Sequence, residues 1–101
     1  MAYKLIWSPA ARDDLHDIVT FIARDNSDRA MSFSYELISR ADRLQMFPEQ
    51  GRIVPEYEDQ NLREMIFRPY RIVYRVNHER NQCEIVRVWH SARGIPDISR
   101  G

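Results

Sequence analysis

The sequence predicts an α+β domain in which an antiparallel two-helix hairpin packs on a small, mainly antiparallel sheet, in the order β-α-α-β-β-β. Two observations predict it. Apolar stripes at helical spacing occupy residues 9–47, and three runs rich in β-branched and aromatic residues, separated by turn chemistry, occupy residues 62–94. The length of 101 residues and the 44% hydrophobic content suit one modest core, so residues 1–101 are read as a single domain.

The first element is a short strand over the β-prone run Tyr3-Lys4-Leu5-Ile6-Trp7. Ser8-Pro9 then starts a helix, with serine as N-cap and proline at the first helical position. Asp13 and Asp14 are expected to favour the positive end of its dipole. Leu15, Ile18, Val19 and Ile22 recur at i, i+3, i+4 and i+7 and mark its apolar face, which Ala11 extends. Arg24-Asp25-Asn26-Ser27 breaks the helix, and Asn26 or Ser27 caps the next. That second helix is expected from about Asp28 to Phe47, where Pro48 stops it. Ala30, Phe33, Ser34, Leu37, Ile38, Ala41 and Leu44 form its inward stripe, and Tyr35, Glu36, Arg40 and Arg43 face outward. Residues 48–61, with two prolines and a glycine and no periodicity, read as a loop.

The three-stranded meander follows. Its first break is Arg68-Pro69, where proline removes a ladder donor, and its second is the polar run Asn77 to Gln82. Arg71, Val73 and Arg75 share one face of the middle strand. Burying guanidinium groups without partners is costly, so that face is expected to meet water, an acid or a partner. Facing in the last strand stays open between a regular strand covered on both sides and a bulge between Ile85 and Val88.

Composition narrows the function classes. No apolar run approaches the ~18 residues needed to span a bilayer, and the N-terminus has no signal-peptide layout. Cys83, the single cysteine, rules out an internal disulfide and reads as an inert core thiol. A bacterial cytoplasm fits these features. The formal net charge is zero, and Lys4 is the only lysine. Residues 1–50 carry six cations and eight acids, and residues 51–101 carry nine and seven, a weak basic bias rather than a nucleic-acid patch. His16, His78 and His90 are scattered, and Cys83 is not at ligand spacing from any of them, so no metal is expected. The glycines, Gly51, Gly94 and Gly101, make no phosphate loop, so no cofactor is expected either.

Gly51-Arg52, Pro55-Glu56, Arg63-Glu64, Tyr70-Arg71-Ile72-Val73-Tyr74-Arg75-Val76 and Val88-Trp89-His90-Ser91-Ala92-Arg93 together resemble the RelE/ParE toxin superfamily of type II toxin–antitoxin modules. The resemblance covers almost the whole chain and is closest to the ParE-like branch, whose last block typically reads His-Gly-Ala-Arg; Ser91 stands here for the glycine. It implies growth inhibition by poisoning DNA gyrase, and neutralisation by a cognate antitoxin that wraps an amphipathic segment over the toxin. Contact with the target is then expected from Arg63, Arg71, Trp89, His90 and Arg93, and contact with the antitoxin from Leu15, Ile22, Phe33 and Leu37.

A ribosome-dependent mRNA interferase is the alternative within the superfamily. Cleavage through a 2′-hydroxyl needs a base, a cation for the phosphorane charge and an acid for the leaving oxygen, and the resemblance offers Glu56, Arg71 and His90 for those roles. The ribonuclease subgroups usually carry a tyrosine near the last strand end, or several lysines. This sequence has no tyrosine after Tyr74 and no lysine after Lys4, so no catalytic residue is assigned and a binding inhibitor is favoured over an enzyme. A third reading is an inactive member that only binds antitoxin.

Each candidate also has a purely structural account. Glu56 serves as a solvated loop carboxylate, Arg71 pairs with Glu64 or Glu84, and His90 donates to a carbonyl at the strand end. Trp7 and Trp89 pack, and Arg93 returns to Glu56 as a salt bridge.

Overall fold

A computed structural model describes residues 2–99. Strand β1 (Lys4–Trp7) leads into helix α1 (Pro9–Ala23) and helix α2 (Ser27–Asp42), which continues as a 3-10 turn over Arg43–Gln45. Strands β2 (Arg52–Ile53), β3 (Leu62–Phe67), β4 (Tyr70–Asn77) and β5 (Gln82–His90) follow, with a second 3-10 turn over Ser91–Arg93. The five strands form one sheet in the order β1-β5-β4-β3-β2, antiparallel except for the parallel β1–β5 pair. The α+β architecture and the strand–helix–helix–meander order are those the sequence predicts. The added feature is β2, too short to carry a periodic signal, which pairs Arg52 with Glu64 and Ile53 with Arg63.

Helix α1 starts as its sequence dictates. The Ser8 hydroxyl oxygen accepts from the Ala11 backbone N–H at 3.0 Å, and Pro9 follows in the first turn. The same hydroxyl donates to the Val86 carbonyl at 2.9 Å, so the cap also fastens the helix to β5. Asn26 caps α2 by accepting from the Arg29 N–H at 3.0 Å. The α-helix ends at Asp42, earlier than the stop expected at Phe47. Pro48 disfavours a helical residue before it, and the intervening chain tightens into a 3-10 turn. Asp14 lies beyond the first turn of α1 and reaches β5, where it binds the Arg87 side chain and the Val88 N–H.

The main core lies between the hairpin and one sheet face. It joins Ala11, Leu37, Ala41 and Leu44 to Ile72, Tyr74, Val76, Cys83, Ile85 and Val88. At about 25 cal/mol per Å² of apolar surface removed from water, this contact dominates the fold. A smaller cluster on the opposite face holds Val54, Leu62 and Val73, with Tyr57 and Ile98 against it. The register shift between β4 and β5 settles the facing of the last strand. Val73 pairs with Arg87 and Tyr74 with Ile85, leaving Val86 as the extra residue of a bulge. Cys83, Ile85 and Val88 therefore face the helices, while Arg87 moves to the other side.

The β3–β4 turn is Arg68-Pro69, with a cis bond, and the β4–β5 turn places Asn81 at a φ of 50°. Gly51 is fixed by crowding: a Cβ there would lie 2.5 Å from the Glu64 carbonyl oxygen and 2.8 Å from the Tyr74 hydroxyl. That hydroxyl accepts from the Gly51 N–H at 2.8 Å, which ties the loop after α2 to β4. No helix is long and apolar enough to cross a membrane among the described residues.

Candidate functional site

On the sheet face away from the helices, period-2 alternation places Arg71, Val73 and Arg75 of β4 beside Leu62, Glu64 and Ile66 of β3. Sequence alone leaves these arginines to water, an acid or a partner, and the structure gives them acids. Glu64 is wholly buried, and its two oxygens serve two arginines: Oε1 accepts from Arg71 Nε at 2.6 Å and Oε2 from Arg52 Nε at 2.6 Å. The other edge of the Arg71 guanidinium is held by Glu56 from the loop after β2, at 2.6 and 2.9 Å. The result is an alternating chain, Arg52–Glu64–Arg71–Glu56, whose four formal charges cancel. The two-bond pairing with Arg71 holds the Glu56 carboxyl below its ordinary range. Glu56 in turn raises the Arg71 guanidinium's pKa.

Neighbouring arginines fasten further segments to this face. Arg75 meets Asp59 at 3.0 Å. Arg87 takes both oxygens of Asp14 at 2.8 Å and donates to the Asp97 carbonyl at 3.0 Å. The Asp14 pairing raises its pKa, so the cation is secure at any physiological pH. Trp89 is buried, donates to the Gly94 carbonyl at 3.1 Å, and carries Arg93 3.9 Å above its ring centroid and Arg87 at 4.9 Å. The tail then crosses the face, with the Tyr57 hydroxyl donating to the Pro96 carbonyl at 2.7 Å.

The ribonuclease candidates are thereby divided. Glu56 and Arg71 are in contact, and an open cavity of about 460 Å³ beside them is also lined by Arg52, Arg68 and Ser91. His90 pairs in register with Tyr70, one residue before Arg71, and so lies on the helix face of the sheet. There its ring meets Tyr70 edge-on at 5.2 Å. Its Nδ1 accepts from the Ala92 N–H at 3.0 Å, the reverse of the donation expected from sequence. The three side chains do not converge on one cavity. Three Arg71 donors are also committed to two carboxylates and a further contact goes to the Gly94 carbonyl, so a bidentate phosphate must displace at least one of these partners.

The residues named from sequence for target and antitoxin contact differ in exposure. Arg71 and Trp89 are buried, held by Glu56 of the loop and the Gly94 carbonyl of the tail. Arg63 is largely covered and donates to the Gly51 carbonyl and to Glu49. Arg93 is exposed but stacks on Trp89 instead of pairing with Glu56. Leu37 of α2 is completely buried between the hairpin and the sheet. Phe33 is half-buried against Phe67 and Tyr70, and Ile22 is half-buried. Leu15 lines an open groove of about 420 Å³ with Trp7, Val19 and Ile38.

Sequence reasoning missed Arg52 as a member of the charged chain and Asp14 as the partner of Arg87. The dipeptide Gly51-Arg52 was the only local signal for the first. Nothing local signals the second, because 73 residues separate the partners. Burial pushes the Cys83 thiol up to about 11, so it is not a thiolate at neutral pH. Among the described residues, no three His, Cys, Asp or Glu side chains gather as a metal site.

Comparison with known proteins places this architecture. The family model described as "ParE toxin of type II toxin-antitoxin system, parDE" matches residues 5–95. The fold is similar to that in a chromosomal ParDE toxin–antitoxin system from P. aeruginosa, with a TM-score of 0.71 and 21% identity over 88% of this chain and 96% of that one. It is also similar to the RelBE2 toxin–antitoxin complex of M. tuberculosis, at 0.65 and 22% over 89% and 92%. A mutant of the E. coli toxin RelE in the free state gives 0.65 and 18% over 93% and 88%. No curated protein matches the sequence.

Proposed function

We propose that this chain, which belongs to the ParE toxin family of type II toxin–antitoxin systems, is the toxin of such a module and arrests growth by binding DNA gyrase and trapping its cleavage complex. It acts in the bacterial cytoplasm as a binding inhibitor, without cutting RNA. The observation that carries this reading is the state of Arg71. A phosphate clamp needs a bidentate edge of free donors, yet both edges of the Arg71 guanidinium face carboxylates, Glu64 at Nε and Glu56 at the two terminal nitrogens, while His90 stands on the other face of the sheet. The zero net charge and the lack of lysine beyond Lys4 support the same reading, since a protein gripping RNA usually carries a positive excess.

A cognate antitoxin neutralises the toxin by laying an amphipathic segment over the hairpin. Its apolar side enters the groove of Trp7, Leu15, Val19 and Ile38, where carbon is already exposed to water. The half-buried Ile22 and Phe33 add apolar surface on the same two helices.

The test is gyrase supercoiling and DNA cleavage with purified protein, run beside a ribosome-bound mRNA cleavage assay. Gyrase-linked DNA breaks with intact mRNA are expected. Codon-phased mRNA cuts with untouched gyrase overturn the reading and return Glu56, Arg71 and His90 to catalytic roles. If neither effect occurs, the protein is a family member that only binds antitoxin.

A further inference from the structure

Three cavities that share walls run along the β2–β3 edge of the molecule. The first, about 740 Å³ and wide open, is lined by Met46, Phe47 and Pro48 together with Arg43 and Gln50. Arg43 and Gln50 also line the second, of about 290 Å³, with Arg40 and Arg52. Arg52 and Ile66 carry on into the third, of about 460 Å³, which reaches Arg68 and Ser91. The result is one continuous groove, apolar at one end and basic along the rest.

Its charge is unbalanced although the protein's is not. Five arginines line it (Arg40, Arg43, Arg52, Arg68 and Arg71) against three carboxylates, Glu49, Glu56 and Glu64. All three carboxylates are already bound: Glu49 to Arg63, Glu56 to Arg71, and Glu64 to Arg52 and Arg71. Among the described residues, Arg43 and Arg68 have no carboxylate within ion-pair distance, and Arg40 lies over the Phe67 ring at 4.9 Å. At the apolar end Met46 is 65% and Phe47 62% exposed, a high value for side chains of that size.

We propose that this groove binds an extended acidic segment of a partner protein, anchored by a bulky apolar side chain between Met46, Phe47 and Pro48. The acidic side chains pair with Arg43, Arg40 and Arg68 along the wall. The guanidinium groups supply the bidentate geometry that carboxylates favour. A nucleic-acid backbone is the weaker fit, because it has no bulky apolar side chain for the pocket of Met46, Phe47 and Pro48. The groove runs from the C-terminal end of α2 along the sheet edge, away from the groove of Trp7, Leu15, Val19 and Ile38, and the inference needs neither gyrase nor an antitoxin to be the partner.

Fluorescence anisotropy at low ionic strength tests it with the full chain. The probe is a labelled twelve-residue peptide with alternating glutamates and one terminal tryptophan. Its controls are the same peptide with glutamine for glutamate, and a labelled DNA duplex. Saturable binding of the acidic peptide alone is expected. It should weaken roughly tenfold in Arg43→Glu/Arg68→Glu and severalfold in Phe47→Ser, in line with the loss of close charge pairs and an apolar anchor. Arg24→Glu/Arg29→Glu, which changes the net charge equally on the helices, should bind as the parent does. Equal binding of the glutamine peptide overturns the proposal, as does preference for the duplex or an equal loss in the helix variant. Circular dichroism melting of each variant separates lost binding from lost folding.

Discussion

The two faces of the sheet are closed by different chemistry. Against the helices, Leu37, Leu44, Ile72, Ile85 and Val88 meet carbon to carbon, and the stabilisation follows from area removed from water. Against the loop and the tail, the apolar cluster is small, and arginines from β4 and β5 reach carboxylates and carbonyls in the covering segments. The first face tolerates changes that keep volume. The second depends on pairing, because each buried charge is acceptable only while its partner remains. A sheet clad in this way can have one face that builds the domain and another that fixes two loops beside a groove.

Removing the centre of the charged face should be the most damaging single change. Glu64→Ala leaves Arg71 buried with half its partners and frees Arg52, and is expected to cost roughly 3–5 kcal/mol in denaturant unfolding. A loss under about 1 kcal/mol would mean that Glu56 alone satisfies Arg71, and the contrast between the faces would collapse.

The helix face supplies the matching experiment. Leu37→Ala should cost about 3 kcal/mol, through lost transfer energy plus the cavity left behind. Because Leu37 is fully covered, antitoxin affinity per folded molecule should stay unchanged, which a titration at constant folded fraction will check.

Gly51→Ala tests the seam where the loop meets β4. The added methyl collides with backbone and with the Tyr74 ring, and a loss of about 1–3 kcal/mol is expected from thermal unfolding.

Acid distinguishes the faces without a large energy. Arg71 lowers the folded-state pKa of Glu56, so that pair's stabilisation is fully present above the ordinary value of 4.5 and fades as pH falls through the lowered one. The stability gap between the parent and Glu56→Gln should therefore narrow on acidification below that value, whereas the gap for Leu37→Ala should not. The smallest effect is predicted for Arg75→Ala. Its pair with Asp59 is about two-fifths exposed on both sides, and its loss should cost less than about 1 kcal/mol.

Much of the fold was legible in the sequence because the signals were local. Ser8-Pro9 and Asn26 cap their helices, the stripe from Ala30 to Leu44 turns inward except at the exposed Ile38, and Arg68-Pro69 ends β3 as read. Boundaries were less legible: β2 has two residues, and α2 yields to a 3-10 turn before Pro48. The site was legible in part. Glu64 was named as a partner for Arg71, but Glu56 was given its own solvated account, and the two carboxylates turn out to share one guanidinium. His90 could not be placed from sequence, because the bulge at Val86 changes which residues of β5 share a face.

The sequence by itself determined the element order, the helix starts and the face of β4 that carries Arg71 and Arg75. Caps, turns and periodicities act within a few residues, and a buried face must show its period. Only the tertiary structure decided where the charges went. Arg87 meets Asp14 across 73 residues, Arg71 meets Glu56 across 15, and Arg40, Arg43, Arg52 and Arg68 from separate segments come to line one groove. Chain distance says nothing about such meetings, because a charge pair needs only proximity and partial burial, and these exist once the apolar face has folded.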